Sequence, residues 1–269
     1  MHGRHRKLAF CETPGPARRQ FFLFRPVTER VRAPLVVSVH GISRNAAAHV
    51  YRFMAEAERY GLVIAAPLFT KEGSGQYQQL EDPKTGFRSD HALLDIADAA
   101  ARLSGASADK LLLFGFSGGA QFAQRFVLAH PKRVQSAVMA AAGWYTFPLA
   151  NKRYPYGLDT EAAKLDLKLD VTGAAGVRQH VLVGEYDTER DASLRQTKDI
   201  DALQGLNRVE RGQRWVEAMA AMNPQAAPSF TIMPGVGHSF STCVEVGGLP
   251  RLVFDIFARD AALQLLPRD

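Results

Sequence analysis

Residues 111–120 read LLLFGFSGGA, an apolar run that ends in Gly115-Phe116-Ser117-Gly118-Gly119. The stretch 111–114 carries the signal of a buried strand. Residues 120–130 carry a helical spacing, with Phe122, Phe126 and Val127 on one face and Pro131 as the stop. G-x-S-x-G acquires structural meaning between a strand and a helix. So sharp a turn strains the residue at its tip, and flanking glycines remove the clashes that a Cβ would cause. It leaves the Ser117 hydroxyl exposed and aims a helix N-terminus at whatever binds there. A glycine-rich loop with an incidental serine is the competing explanation, but the flanking strand and helix favour a nucleophile.

Outward from this turn, strand-like and helix-like segments alternate. Residues 8–11 and 20–24 predict a leading antiparallel strand pair around Pro14-Gly15-Pro16. Further strands are expected at 35–39, 62–67, 134–142, 180–184 and 230–233. Helices are expected at 46–60, at 91–103 with Asp90 as cap, at 211–222 and at 249–265. Such alternation predicts an α/β fold, a mostly parallel central sheet covered by helices on both faces. In open sheets of this kind the active site lies at the carboxyl ends of the strands. Two stretches interrupt the pattern: 144–175, aromatic at its start, and 188–207, polar with Arg190, Arg195 and Lys198. Both follow strand ends and are expected to overhang the site as insertions or lid loops. No internal repeat or domain-scale linker appears, so 1–269 is expected to form a single domain.

The 269 residues are 46% hydrophobic and 22% charged, which suits one large core. The formal net charge is +6, and Arg4, Arg6, Lys7, Arg18, Arg19 and Arg25 crowd the N-terminal end. Without interleaved aromatics or a known binding motif this reads as a solvated edge, and no nucleic-acid partner is expected. Cys11 and Cys243 lie too far apart for a disulfide framework, and Cys243 is expected to pack as a small apolar residue. The start MHGRHRKLAF lacks the apolar stretch of a secretory signal. No run is long enough to cross a membrane, so a cytoplasmic protein is expected unless the true start lies upstream.

A serine hydroxyl is a poor nucleophile until a base takes its proton. His238, in Pro234-Gly235-Val236-Gly237-His238, follows the strand at 230–233, and the glycines allow a tight loop that returns the imidazole toward Ser117. The imidazole needs a carboxylate to fix its tautomer. Asp187 lies just past the strand at 180–184, with Glu185 and Asp191 as competitors. The order Ser117, Asp187, His238 is one of the known orders for this constellation. An oxyanion needs donors. The N–H of Gly118 is one candidate, and the turn His40-Gly41-Ile42 after the strand at 35–39 offers the N–H of Ile42 as the second. His40 is expected to have a structural hydrogen-bonding role. Arg44 and Asn45 either touch substrate or cap the helix at 46–60. His2 and His5 sit near the N-terminus, and no metal motif or nucleotide-binding glycine pattern is present, so neither metal nor cofactor is expected.

Together these residues resemble the α/β-hydrolase superfamily, over roughly 35–265. The GFSGGA elbow, the Ala129-His130-Pro131-Lys132-Arg133-Val134 run and the alanine-rich strand ending in Gly143-Trp144-Tyr145 resemble its esterase and polyhydroxybutyrate-depolymerase-like group. The resemblance implies a cofactor-free serine esterase acting on small-molecule esters. Ser117 would be nucleophile, His238 base, Asp187 its partner, and Ile42 and Gly118 the oxyanion hole. Arg44, Trp144, Tyr145, Phe147 and Phe69 would line the pocket. Thioesterases and peptidases use the same triad, and a catalytically silent binding protein is the rival class. The oligomeric state is open.

Overall fold

The computed structural model describes residues 7–263. His2, Arg4, His5 and Arg6 lie outside the described residues, and the last helix, expected over 249–265, ends at Asp260 with Ala261 as its C-cap. In chain order the strands are β1 (Lys7–Glu12), β2 (Gln20–Arg25), β3 (Pro34–Val39), β4 (Ile64–Pro67), β5 (Ser107–Phe116), β6 (Val134–Ala140), β7 (Arg178–Gly184) and β8 (Ser229–Met233). The helices are α1 (Ala46–Tyr60), α2 (Ser89–Leu103), α3 (Gly118–Ala129), α4 (Val171–Ala174), α5 (Lys198–Gln204), α6 (Arg208–Met222), α7 (Phe240–Glu245) and α8 (Leu249–Asp260).

Among the described residues, eight strands form one sheet in the order β1-β2-β4-β3-β5-β6-β7-β8. β2 runs antiparallel to both β1 and β4, and every other pairing is parallel. This is the mostly parallel sheet with a leading antiparallel pair that the alternation predicts. The central strands are apolar throughout because both faces are covered. Leu35, Val37, Leu111 and Leu113 join a core with α2, α3 and α6. Their neighbours Val36, Leu112 and Phe114 join a second core with α1, α7 and α8.

The chain leaves β3 for β4 on one side and then crosses to β5 on the other. At such a reversal the connections diverge and leave a crevice beyond the carboxyl ends of the strands. Val39 of β3 is paired with Gly115 of β5. The turn His40-Gly41-Ile42 and Ser117 therefore leave the sheet side by side.

Asp90 does not cap α2. Arg88 is the N-cap residue, and Asp90 sits buried inside the first turn. Its carboxylate accepts from Arg88 at 2.7 and 2.9 Å and contacts His130 Nε2 at 2.8 Å. These charge-assisted bonds occupy the oxygens that a cap would use. α6 starts at Arg208, earlier than expected, because Asn207 caps it by accepting from Glu210 N–H. α4, α5 and α7 span only 4, 7 and 6 residues, too short for apolar periodicity to read. No helix among the described residues is long and apolar enough to cross a membrane.

His49 of α1 is wholly buried against the sheet. Its Nδ1 meets Ser38 Oγ at 3.0 Å, its ring stacks on Phe240 at 4.2 Å, and its Nε2 has no partner. Burial pushes its pKa from 6.5 down to about 3, so the folded protein holds it neutral. The unfolded chain protonates it first. The stability tied to a neutral His49 is thus complete above pH 6.5 and is lost as pH falls toward about 3. The urea midpoint should fall across that window, and less steeply in His49→Phe, which keeps the stacked ring. Equal slopes in the two proteins would refute this assignment.

Candidate active site

Ser117 occupies the N-cap of α3 with φ 54° and ψ −112°. A non-glycine residue in such a region costs on the order of 1–3 kcal/mol and persists only where its surroundings hold it. Here the Ser117 N–H donates to Ala140 O at 2.8 Å, and its carbonyl accepts from the Ala120 and Gln121 N–H groups at 3.1 Å. The flanking glycines are required by contact. A Cβ on Gly115 would lie 2.1 Å from Gly119 O, and one on Gly119 would lie 2.1 Å from Val39 O.

The loop carrying His238 closes on the end of β7. A Cβ on Gly184 would lie 2.4 Å from Val236 O, and Tyr186 N–H donates to that carbonyl at 2.9 Å. His238 Nε2 stands 3.1 Å from Ser117 Oγ, and its Nδ1 stands 2.8 Å from Asp187 Oδ2. An ionised carboxylate only accepts, so Nδ1 carries the proton and the Nε2 lone pair faces the Ser117 hydroxyl. The His238 ring stacks on Phe116 at 5.7 Å. Asp187 is buried, and its other oxygen accepts from Arg208 Nη1 at 3.0 Å. The competing carboxylates are engaged elsewhere. Glu185 accepts from Gly235 N–H at 2.9 Å, while Asp191 accepts from the Ser193 and Leu194 N–H groups.

The turn after β3 is braced from behind. His40 Nδ1–H donates to Gly41 O at 2.8 Å, and its Nε2 accepts from Phe69 N–H at 3.1 Å. Burial pushes the His40 pKa down to about 4, so it stays neutral and structural. Tyr77 O–H donates to His40 O at 2.7 Å. A Cβ on Gly118 would lie 2.9 Å from that hydroxyl and 3.5 Å from Ile42 N. The N–H groups of Ile42 and Gly118 are therefore neighbours, and among the described residues neither donates to another group.

Arg44 does not cap α1. Its guanidinium donates to Phe69 O and, at 3.3 Å, to Gly75 O, and it lies over the Tyr77 ring. It ties the turn after β3 to the segment that follows β4. The expected pocket walls divide. Tyr145, Phe147 and Phe69 belong to the core. After β6 the chain passes beneath α6, where Tyr145 stacks on Trp215 at 5.0 Å and Gln204 brackets the Tyr145 backbone at 2.8 and 2.9 Å. Trp144 is buried too, but it packs against Arg125, Arg195 and Tyr156. Cys243 is buried in the core beside the His238 loop. Sequence reasoning missed Arg208 and Tyr77. A buried carboxylate beside a neutral imidazole calls for a cation, but only the fold shows which residue supplies it. Among the described residues no group of three or more His, Cys, Asp or Glu is placed to hold a metal ion.

No protein-family model matches the sequence, and no curated protein matches it. Solved structures do. A poly(aspartic acid) hydrolase from Sphingomonas sp. KT-1 is 22% identical, with a TM-score of 0.78 over 92% of this chain and 98% of that one. A poly(3-hydroxybutyrate) depolymerase from Bordetella parapertussis is 24% identical, with a TM-score of 0.74 over 93% and 90%. An S-formylglutathione hydrolase from Staphylococcus aureus is 12% identical, with a TM-score of 0.63 over 97% and 98%. The chain has the α/β-hydrolase fold these proteins share.

Removing Arg208 strands a buried carboxylate. Arg208→Met should lower stability by about 3–5 kcal/mol, read from denaturant unfolding, because breaking a buried ion pair leaves one charge uncompensated. A variant as stable as the parent would show that water replaces the guanidinium.

Proposed function

We propose that this chain is a serine hydrolase that cleaves carboxylic esters through an acyl-enzyme, in the manner of the polyhydroxybutyrate-depolymerase-like esterases. The observation that carries this reading is the continuous hydrogen-bonded line Ser117 Oγ, His238 Nε2, His238 Nδ1, Asp187 Oδ2, at 3.1 and 2.8 Å.

Ser117 Oγ attacks the ester carbonyl carbon as its proton passes to His238 Nε2. The carbonyl oxygen becomes an oxyanion, and the N–H groups of Ile42 and Gly118 donate to it. His238 Nε2–H then protonates the leaving alkoxide oxygen as the C–O bond breaks, and the acyl group remains on Ser117. A water gives its proton to Nε2 and attacks the acyl carbon. Collapse of the second tetrahedral intermediate returns that proton to Ser117 Oγ and frees the acid. Asp187 stays ionised throughout and stabilises the imidazolium. None of these steps calls on a cofactor.

The strained Ser117 backbone also favours an enzyme over a catalytically silent scaffold. A binding protein has no use for a 1–3 kcal/mol penalty, of the order usual for such residues, at one serine. The depolymerase and thioester hydrolase among the similar structures support acyl-transfer chemistry on this fold.

Ser117→Ala should lower turnover of p-nitrophenyl esters by about 10⁴–10⁶ and abolish labelling by a fluorophosphonate probe. Activity within about a hundredfold of the parent would eliminate Ser117 as nucleophile. Asp187→Asn, which keeps the shape but reverses the favoured tautomer, should cost about 10⁴ in kcat. A near-normal Asp187→Asn with a crippled Glu185→Gln would move the role to Glu185.

A further inference from the structure

A cleft of ≈ 310 Å³ lies where the 144–175 and 188–207 segments meet. Arg153, Tyr154, Tyr156, Gln79 and Arg195 line it, and no Asp or Glu does. The Arg195 guanidinium lies over the rings of Trp144 and Tyr156, at 5.5 Å from each centroid. Among the described residues, neither the Arg153 nor the Arg195 guanidinium makes an ion pair or a hydrogen bond. Their neighbours in the chain differ. Arg190 and Arg211 are both paired with Asp201, and Arg208 with Asp187.

Behind the cleft stands a third guanidinium. Arg125 stacks on Trp144 at 4.3 Å, is fully buried, and has no carboxylate partner. It donates to Thr146 Oγ1 at 2.9 Å and to Gln78 O at 2.7 Å, while its Nη2 has no partner. Burial lowers its pKa to about 10, which still leaves it charged near neutrality. A buried cation is weakly screened by salt, so its field reaches the cleft.

The cleft connects to the candidate oxyanion turn by one short element. In the 3-10 turn Tyr77–Gln79, Tyr77 holds His40 O while Gln79 lines the cleft. Arg125 follows Ser117 by eight residues, a separation of about 12 Å along α3.

We propose that this cleft is a carboxylate subsite, in which Arg153 and Arg195 hold a carboxylate that an ester substrate carries remote from its scissile bond. The proposal rests on the hydrolase reading above and names the substrate class, an ester with an anionic far end. Guanidinium forks match carboxylates in a planar two-bond geometry. Stacking on Trp144 and Tyr156 restrains Arg195, so less side-chain freedom is lost on binding. Pro155, Tyr156 and Leu165 supply apolar wall for the chain that links the carboxylate to the reacting carbonyl.

The p-nitrophenyl half-ester of sebacic acid tests this against p-nitrophenyl decanoate, which lacks only the terminal carboxylate. At low salt kcat/KM should favour the half-ester by about tenfold, and the preference should fade in about 1 M salt, where screening extends over only about 3 Å. In the Arg153→Gln/Arg195→Gln double variant the ratio should fall to about one. A preference for the neutral ester in the parent, or a half-ester preference that survives the double variant, would overturn the subsite. A separate arm needs no turnover. Sebacate dianion should bind the Ser117→Ala protein in calorimetry and lose that binding when both arginines are replaced. Absence of binding there rejects the subsite, whereas binding without hydrolysis of either ester by the parent rejects the hydrolase reading alone.

Discussion

At Gly115 and Gly119 the backbones of β3, β5 and α3 come so close that a single methyl group on either residue would overlap a carbonyl oxygen. This contact is the constraint on which the remaining geometry depends. It forces Ser117 into a positive-φ turn and sets its hydroxyl beyond the sheet. It also holds α3 against the end of β3, which brings Gly118 next to Ile42. The reversal of strand order between β3 and β5 makes the contact possible, because only adjacent parallel strands whose connections leave in opposite directions open a crevice there. The strain at one residue is thus held by packing spread across two strands and a helix.

Electrostatics are layered over this frame. The candidate site and the cleft between the 144–175 and 188–207 segments use charge differently. In the site Asp187 is shared between His238 and the buried Arg208, so a full negative charge is kept under the imidazole without access to water. Such a carboxylate is affordable only with its cation in place. Around Trp144 and Tyr156, Arg125 and Arg195 stack on the rings, and no Asp or Glu is among the described residues that line the cleft there.

Elsewhere in the molecule the same residue types meet without forming such a site. His180 Nδ1 contacts Ser229 Oγ at 2.7 Å, and His180 Nε2 contacts Asp260 Oδ2 at 2.7 Å. Ser229 opens β8 in ordinary extended backbone, followed by strand rather than by a helix N-terminus. Burial lowers the pKa of His180. This trio ties α8 to the amino ends of β7 and β8, with Ser136 adding a bond of 2.6 Å to the same carboxylate. What separates it from the Ser117 line is the elbow and its neighbouring N–H groups, not the hydrogen-bond pattern.

Much of this was legible in the residues themselves. The LLLFGFSGGA run specified its own strand, turn and helix because glycine at 115 and 119 and an apolar run at 111–114 are local requirements of that turn. The alternation of apolar runs and 3.6-residue periods determined a parallel sheet covered on both faces, since each period reports which sides are buried. His238 and Asp187 were readable by position, each just past a strand. Partners chosen by packing alone were not readable. Arg208 meets Asp187 across 21 positions, and Tyr77 braces a turn 37 positions away. Tyr145 and Phe147 look the same in sequence whether they wall a cleft or fill a core, and only the descent of the chain beneath α6 put them inside. Hydrophobicity says that a residue will be covered. Which neighbours cover it, and which cations are left uncovered, follows from long-range contacts that no local pattern encodes.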